Sequence, residues 1–488
     1  MTDQDRASLG DPFFDLVLAR ERFPRTATEL IAVLNESNGA PEGVPEQMVF
    51  VVAEAGQIPF NNSSAMLPRG VRYVVTRGRP ANGPTVLIST RPPADDPTAF
   101  LQVAGWDGRN KVFHFYERAG SAWLWEGSSL HAFDPAARGK GPFDSHVNGT
   151  LVMKELRLPW LHWNSTAQEI PIESFPPNHP LRTDPLFAAR ESADILERRV
   201  VRPAIQRWTR ARLDRQLGDP DGVAAPRELL RHLLATTSIN IVTSEERSRG
   251  SKPTFGLPAT FFFDVESIVN QLGLEISGLG QSFQVGRPDY ESAVAALGLA
   301  LKHLASGFKQ DGDASFAWLV PERALEDCVV VGELTRRGIL SFGFALALLM
   351  VDAWNPIDSA ARASLLNYVP AGRTQAARIE AETRKNINNA AAHLPPEAPE
   401  SIAATYLALD ESALRARAGA ELDAFVAKVR ARLMTSQGVL DFMRLADWRR
   451  RAFRKRRIAE FDLSLPFSNI NENAPPLALT KDGEVVER

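Results

Sequence analysis

Imidazoles and indoles crowd one stretch of this chain. Five of the eight histidines (His114, His131, His146, His162, His179) and five of the nine tryptophans (Trp106, Trp123, Trp125, Trp160, Trp163) fall between residues 106 and 179. Neutral imidazole is the commonest metal-binding side chain. A wall of indole and phenyl rings would exclude water from a flat porphyrin or a redox metal. The chemistry in view is therefore that of iron. A haem iron would take one of these imidazoles as its proximal ligand, and a distal position left open or filled by another, such as His162, separates peroxidase-like chemistry from electron transfer. Arg138, Lys140 and Lys154 would pair with the propionates, and Trp160 and Trp163 would wall the pocket. A non-haem iron site would instead gather two of His131, His146 and His162 with Asp144 or Glu155, the two-histidine, one-carboxylate set that leaves open positions on the metal. The competing account is architectural: aromatic bodies bury a large area while a ring N–H finds a backbone carbonyl, so the same residues could fill the seam between a sheet and a helical domain.

The centre of this stretch is Arg138-Gly139-Lys140-Gly141-Pro142-Phe143-Asp144-Ser145-His146-Val147-Asn148-Gly149-Thr150, followed by Met153-Lys154-Glu155-Leu156 and then Pro159-Trp160-Leu161-His162-Trp163. It resembles a group of bacterial cytochrome-c-like proteins in which a Cys-x-x-Cys-His haem-attachment motif precedes a Met-Lys-Glu-Leu and Pro-Trp pattern. Leu257-Pro258-Ala259-Thr260-Phe261-Phe262-Phe263 looks like a segment of the same group. The resemblance implies a cytochrome-like ancestor and a haem b site with His146 as proximal ligand and catalytic residue. Pro142 and Ser145 stand where the two cysteines would be, so thioether attachment is excluded and only the would-be axial histidine is kept. Either haem is held without a covalent bond, or the site has lost haem and keeps its scaffold.

The elements that must position these residues are legible on both sides. From 47 to 125, short β-branched and aromatic runs alternate with Gly, Pro, Asn and Asp, the signature of an antiparallel meander. Trp106-Asp107-Gly108-Arg109-Asn110 marks one hairpin, in which Asp-Gly would supply positive φ, and Ala119-Gly120 marks a second. After Pro185 the period changes to about 3.6, with Leu186, Ala189, Ala193, Leu196 and Val200 on one stripe. Pro203 is expected to kink or restart that helix. Further helices are expected at 226–237, 265–272, 290–308, 322–353, 375–391 and 411–435, and a loose extension after 461. The expected fold is α+β, an N-terminal antiparallel β-rich domain followed by a larger, mainly helical domain. Its divisions are an N-terminal helical or irregular segment at 1–44, the β-rich domain at 45–135, the His/Trp-rich connecting segment at 136–184, the helical domain at 185–462 and an extended tail at 463–488.

Composition narrows the classes of function. The chain has 488 residues, 44% hydrophobic and 24% charged, with 56 basic and 59 acidic residues, which excludes collagen-like, disulfide-framework and wholly disordered chains. No global field draws it to nucleic acid or an anionic membrane. The single cysteine, Cys328, permits neither an intramolecular disulfide nor a thiolate cluster and reads as a core thiol. The longest mainly apolar run, 338–351, has 14 residues, short of the ~20 a spanning helix needs. With an acidic N-terminus and no basic leader, a cytoplasmic location is expected. No dinucleotide fingerprint, phosphate loop or nucleophile elbow is present. One basic run, Arg449, Arg450, Arg451, Arg454, Lys455, Arg456 and Arg457, is dense enough to meet an acidic or phosphate-bearing partner, although a solvated helix end explains it too. The functional expectation is a soluble oxidoreductase acting on a small molecule at the junction of the two domains around His146. The alternative is a non-catalytic binding or scaffold protein of cytochrome-like descent.

Overall fold

The computed structural model describes residues 7, 9–36, 46–53, 61–67, 71–78, 83–144, 146–151, 172, 175–191, 193–237, 239–243, 252–312, 319–455 and 466–488. These gather into two compact units. The first runs to Ala211 and takes in Leu301–Gln310; the second comprises Arg212–Ala300, Asp311–Arg457 and Leu465–Arg488. The α+β reading holds: a six-stranded antiparallel sheet precedes a mainly helical region.

The sheet is a plain meander of β1 (Gln47–Ala53), β2 (Val71–Arg77), β3 (Val86–Thr90), β4 (Leu101–Asp107), β5 (Val112–Ala119) and β6 (Ala122–Ser128), each strand paired with the next. Because side chains alternate along a strand, the register sorts them into two faces. Val49, Val51, Tyr73, Val75, Ile88, Leu101, Val103, Tyr116 and Trp123 form one, and they bury against Phe13 of helix Pro12–Leu16 and Leu30 and Leu34 of helix Ala27–Glu36. Asp11 caps the first of these helices, its Oδ1 accepting from the amides of Phe13 (3.0 Å) and Phe14 (3.2 Å). Gly105 is required beneath it, since a Cβ there would lie 2.1 Å from Asp11 Oδ1.

The β4–β5 turn departs from the expected mechanism. Gly108 is not among the positive-φ residues; Lys111 takes that conformation (φ 53°). The turn is closed instead by Asp107, whose Oδ1 accepts from the amides of Arg109 (2.9 Å) and Asn110 (2.8 Å). At the next hairpin Gly120 does adopt positive φ, 63°. The β5–β6 pairing slips between Phe115 and Tyr116, which oppose Gly127 and Trp125, so Glu126 is an inserted, unpaired residue.

In the second unit the expected helices at 226–237, 375–391 and 411–435 are present as Pro226–Leu234, Ala376–Ala391 and Glu411–Leu433. Two others are corrected. The stretch 290–308 gives helix Arg287–Ala296 and then a hairpin of Ala300–His303 with Phe308–Asp311, nearly all of which belongs to the first unit. The stretch 322–353 divides into helices Leu325–Arg336 and Phe342–Leu349, because Gly338 (φ 67°) leaves helical conformation between them. Phe342–Leu349 lies in the centre of the core, with Phe344 through Met350 all at 0% exposure. No helix among the described residues is long and apolar enough to cross a membrane. Over residues 466–488 the expected tail ends in a hairpin, Leu477–Leu479 with Val485–Glu487, whose Leu477 and Leu479 join the same core.

Candidate functional site

His146 is pinned by a run of tight turns. The Phe143 amide donates to the Lys140 carbonyl (3.1 Å), the His146 amide to Pro142 (2.9 Å), and the Gly149 amide to His146 (2.8 Å). Gly149 (φ 68°) has no alternative, since a Cβ would meet the Ser129 carbonyl oxygen at 2.3 Å. Phe143 is the buried plug that docks this loop on the sheet. Its ring stands edge-on to Phe115 (5.6 Å between centroids), and Phe115 lies 4.9 Å from the His146 ring. The His146 Nδ1 is 2.9 Å from the Thr150 carbonyl oxygen. A carbonyl can only accept, so Nδ1 carries the proton and Nε2 keeps its lone pair. Burial pushes the pKa of this imidazole down to about 4, so it is neutral at physiological pH.

Beside His146 lies a cavity of about 320 Å³ over the sheet face opposite the helix-covered one. Its floor follows from strand register: Leu87, Ala104 and Phe115 form one cross-strand row, and Ser89, Gln102 and Glu117 the next. Arg72 enters from β2, and the inserted Glu126 and the loop residue Asp144 complete the rim. Three carboxylates and one guanidinium therefore line the space. Glu117, Glu126 and Arg72 stood outside the sequence reading. The polar positions alternating with apolar ones in β3 to β5 were the available signal, because a strand face that carries Ser, Gln and Glu is not a core face.

The other described histidines of this stretch are engaged locally. His131 Nδ1 accepts the Ser128 amide (3.1 Å), and its ring stacks on Phe143 at 6.2 Å. It is thus joined to His146 through the rings of Phe143 and Phe115 in succession. Among the described residues no three His, Cys, Asp or Glu side chains come together as a metal site. His114, buried on the opposite face of the sheet, sits between Asp107 (Nε2 to Oδ2, 3.4 Å) and the Trp125 indole, which donates to its Nδ1 (3.2 Å). His179 Nδ1 accepts the Leu181 amide (3.3 Å). Of the five tryptophans in this stretch the three described ones are structural: Trp106 carries the Arg207 guanidinium at 4.2 Å, Trp123 Nε1 donates to the Pro24 carbonyl, and Trp125 holds His114. Lys140 turns its amino group back to the Ala136 carbonyl (2.9 Å). Lys154, Glu155, Trp160, His162 and Trp163 lie outside the described residues, as does Ser145.

The basic run near the C-terminus is corrected for Arg449, Arg450, Arg451 and Arg454. Arg449, Arg450 and Arg451 are 4%, 1% and 2% exposed, so none of the three is offered to a partner. Arg451 pairs with Asp447 (2.8 Å) and donates to the carbonyls of Glu472 and Ala474, and Arg449 donates to the Phe261 carbonyl. Arg454 donates to the Pro466 carbonyl and lies 4.0 Å over the Phe467 ring. Only Lys455 ends in solvent among the described members, and Arg456 and Arg457 are not among these.

A second titratable cluster is closed on itself. His232 Nδ1 meets Asp327 (2.8 Å) while its Nε2 accepts from Arg212 (3.2 Å), and Arg323 bridges towards Asp264 (2.8 Å). Both imidazole nitrogens are used, which leaves none for a substrate. Cys328 is the expected core thiol: burial, with the Asp264 charge behind it, raises its pKa well above the ordinary thiol value. Comparison with known proteins returns no match to any family model, characterised protein or solved structure.

Proposed function

We propose that the protein binds a small molecule in the cavity beside His146 and acts there as an oxidoreductase, with iron, bare or in haem b, taking the His146 Nε2 as a ligand. One observation carries this reading. The Nδ1–H bond to the Thr150 carbonyl fixes the tautomer and orients the ring, the arrangement metal-ligating histidines use. The electrostatics of the lining bear on the form of the iron. Glu117, Glu126 and Asp144 against Arg72 suit a cation better than the two carboxylates of a porphyrin. Bound iron would supply redox chemistry. The chain's own part is to hold a neutral nitrogen donor in a partly enclosed space and to balance a positive charge with the rim carboxylates.

The test is an absorption spectrum with metal analysis on protein expressed with added iron and haem precursor, beside a His146→Ala control. A Soret band lost in the control supports axial ligation by His146, and stoichiometric iron without that band, lost in the same control, supports the bare ion. Well-folded protein with neither sinks the iron reading. A second reading is favoured by the uses found for Trp106, Trp123, Trp125, His114 and His131, all of which serve packing or local hydrogen bonds. In it the protein is a non-catalytic binding or scaffold protein, and the His146 loop is retained architecture.

A further inference from the structure

The second unit contains a larger cavity, about 470 Å³, that the His146 reading does not use. Its floor is apolar: Met350 and Val351 are buried, and Trp354, half-buried and 6.0 Å from Phe425, turns part of its indole to the space together with Ile402. Its rim is charged. Helix Glu411–Leu433 contributes Arg417, Glu421 and Lys428 from one face, at spacings of four and seven residues that bring them above one another. The turn of the C-terminal hairpin adds Lys481 and Asp482, and helix Pro399–Leu407 adds Tyr406.

Both acids on this rim are already matched. Glu421 accepts from Arg417 (2.8 Å) and from the Tyr406 hydroxyl (2.5 Å), and Asp482 pairs with Lys428 (2.5 Å). Lys481, exposed at the mouth, makes no ion pair among the described residues. The rim therefore carries one net positive charge above an apolar, aromatic floor. The volume lies within the range of small-molecule sites, about 300–1,000 Å³. A half-exposed indole gains by being covered, and an ammonium beside it gains by meeting an anion.

We propose that this cavity is a binding site for a small amphipathic monoanion, a carboxylate with an aliphatic or aromatic body. The body lies on Trp354, Met350 and Ile402, and the carboxylate meets Lys481, with the Lys428 ammonium next to it. The C-terminal hairpin thereby becomes part of a site, which accounts for a surface turn that carries Lys481 and Asp482 over a cavity rather than over core.

Isothermal titration of the full-length protein with octanoate, octan-1-ol and octylammonium tests this. Octanoate is expected to bind at one per chain, the alcohol more weakly, and the ammonium not at all. Lys481→Glu should weaken octanoate about tenfold while leaving the alcohol unchanged. Ala424 is exposed on the cavity side of its helix, so Ala424→Trp fills the space and should abolish binding of both without moving the unfolding transition. Absence of octanoate binding, octylammonium binding as tightly as octanoate, or octanoate binding that survives Ala424→Trp in folded protein would each overturn the proposal. None of these outcomes depends on iron or on His146.

Discussion

Asp11 offers a quantitative test of how the sheet is held to its helices. Its carboxyl is 0% exposed and is asked to cap a helix and to accept the Tyr116 hydroxyl at 2.5 Å. Burial outweighs these three hydrogen bonds and raises its pKa from 3.8 to about 6. The sign follows from linkage: the folded state holds the proton more tightly than the unfolded chain. The stabilisation from that proton is complete below pH 3.8 and is lost as pH rises through about 6. A shift of that size corresponds to about 3 kcal/mol across the window. Asp11→Asn keeps an acceptor oxygen for the Phe13 and Phe14 amides and removes the titration. Urea unfolding of both proteins at constant ionic strength from pH 4 to pH 8, followed by the fluorescence of the tryptophans in this unit, measures the difference. Because pH 4 already lies just above the unfolded pKa of 3.8, wild type should lose about 2.5 kcal/mol relative to Asp11→Asn between these limits. A gap constant to within about 0.5 kcal/mol would refute the argument, because a solvated cap residue titrates alike in both states.

Two further outcomes follow from buried groups. Arg451→Ala should cost about 3–5 kcal/mol in urea unfolding, since Asp447 is left as an unpaired buried carboxylate; the double variant Arg451→Met with Asp447→Leu should recover most of the loss. A cost below about 1 kcal/mol would instead mark the solvated helix end that the basic run suggests in isolation. Cys328, buried with its thiol pKa raised, should resist iodoacetamide at pH 8 in native protein and react once urea unfolds it. Rapid labelling of the native protein would contradict its placement.

How much could be read from the sequence depended on the range of the interactions involved. The six strands were legible because residues such as Val71 to Val75 and Val112 to Tyr116 are mostly β-branched or aromatic and are cut by turn residues, all within a few positions. Helices at 226–234, 376–391 and 411–433 were legible for the same reason at the other period. The break at Gly338 was missed because a mainly apolar run continues past it from Ile339 to Val351, and a single positive φ carries no signal beyond the glycine. The strand Ile239–Thr243 was missed because its partner, Leu319–Arg323, is far away in sequence.

The site divides along the same line. The crowding of His and Trp between 106 and 179 identified a region of the first unit, and the turn residues around His146 identified a loop, both local facts. Which of those side chains share a space was beyond local reading. His114 and His146 fall on opposite faces of one sheet through the register of β5 and the path of the loop after β6, and the cavity's Ser89, Gln102 and Glu117 come together only through strand pairing. The arginines near 450 show the limit most clearly. In sequence they are a charge run; their carbonyl and carboxylate partners include Phe261, Glu472 and Ala474, which only the folded chain brings within hydrogen-bonding distance. Composition and period, which act over a turn or a strand, determined the elements and the fold class. Burial, pairing and charge balance depend on contacts between residues distant in the chain, and the tertiary structure alone decided them.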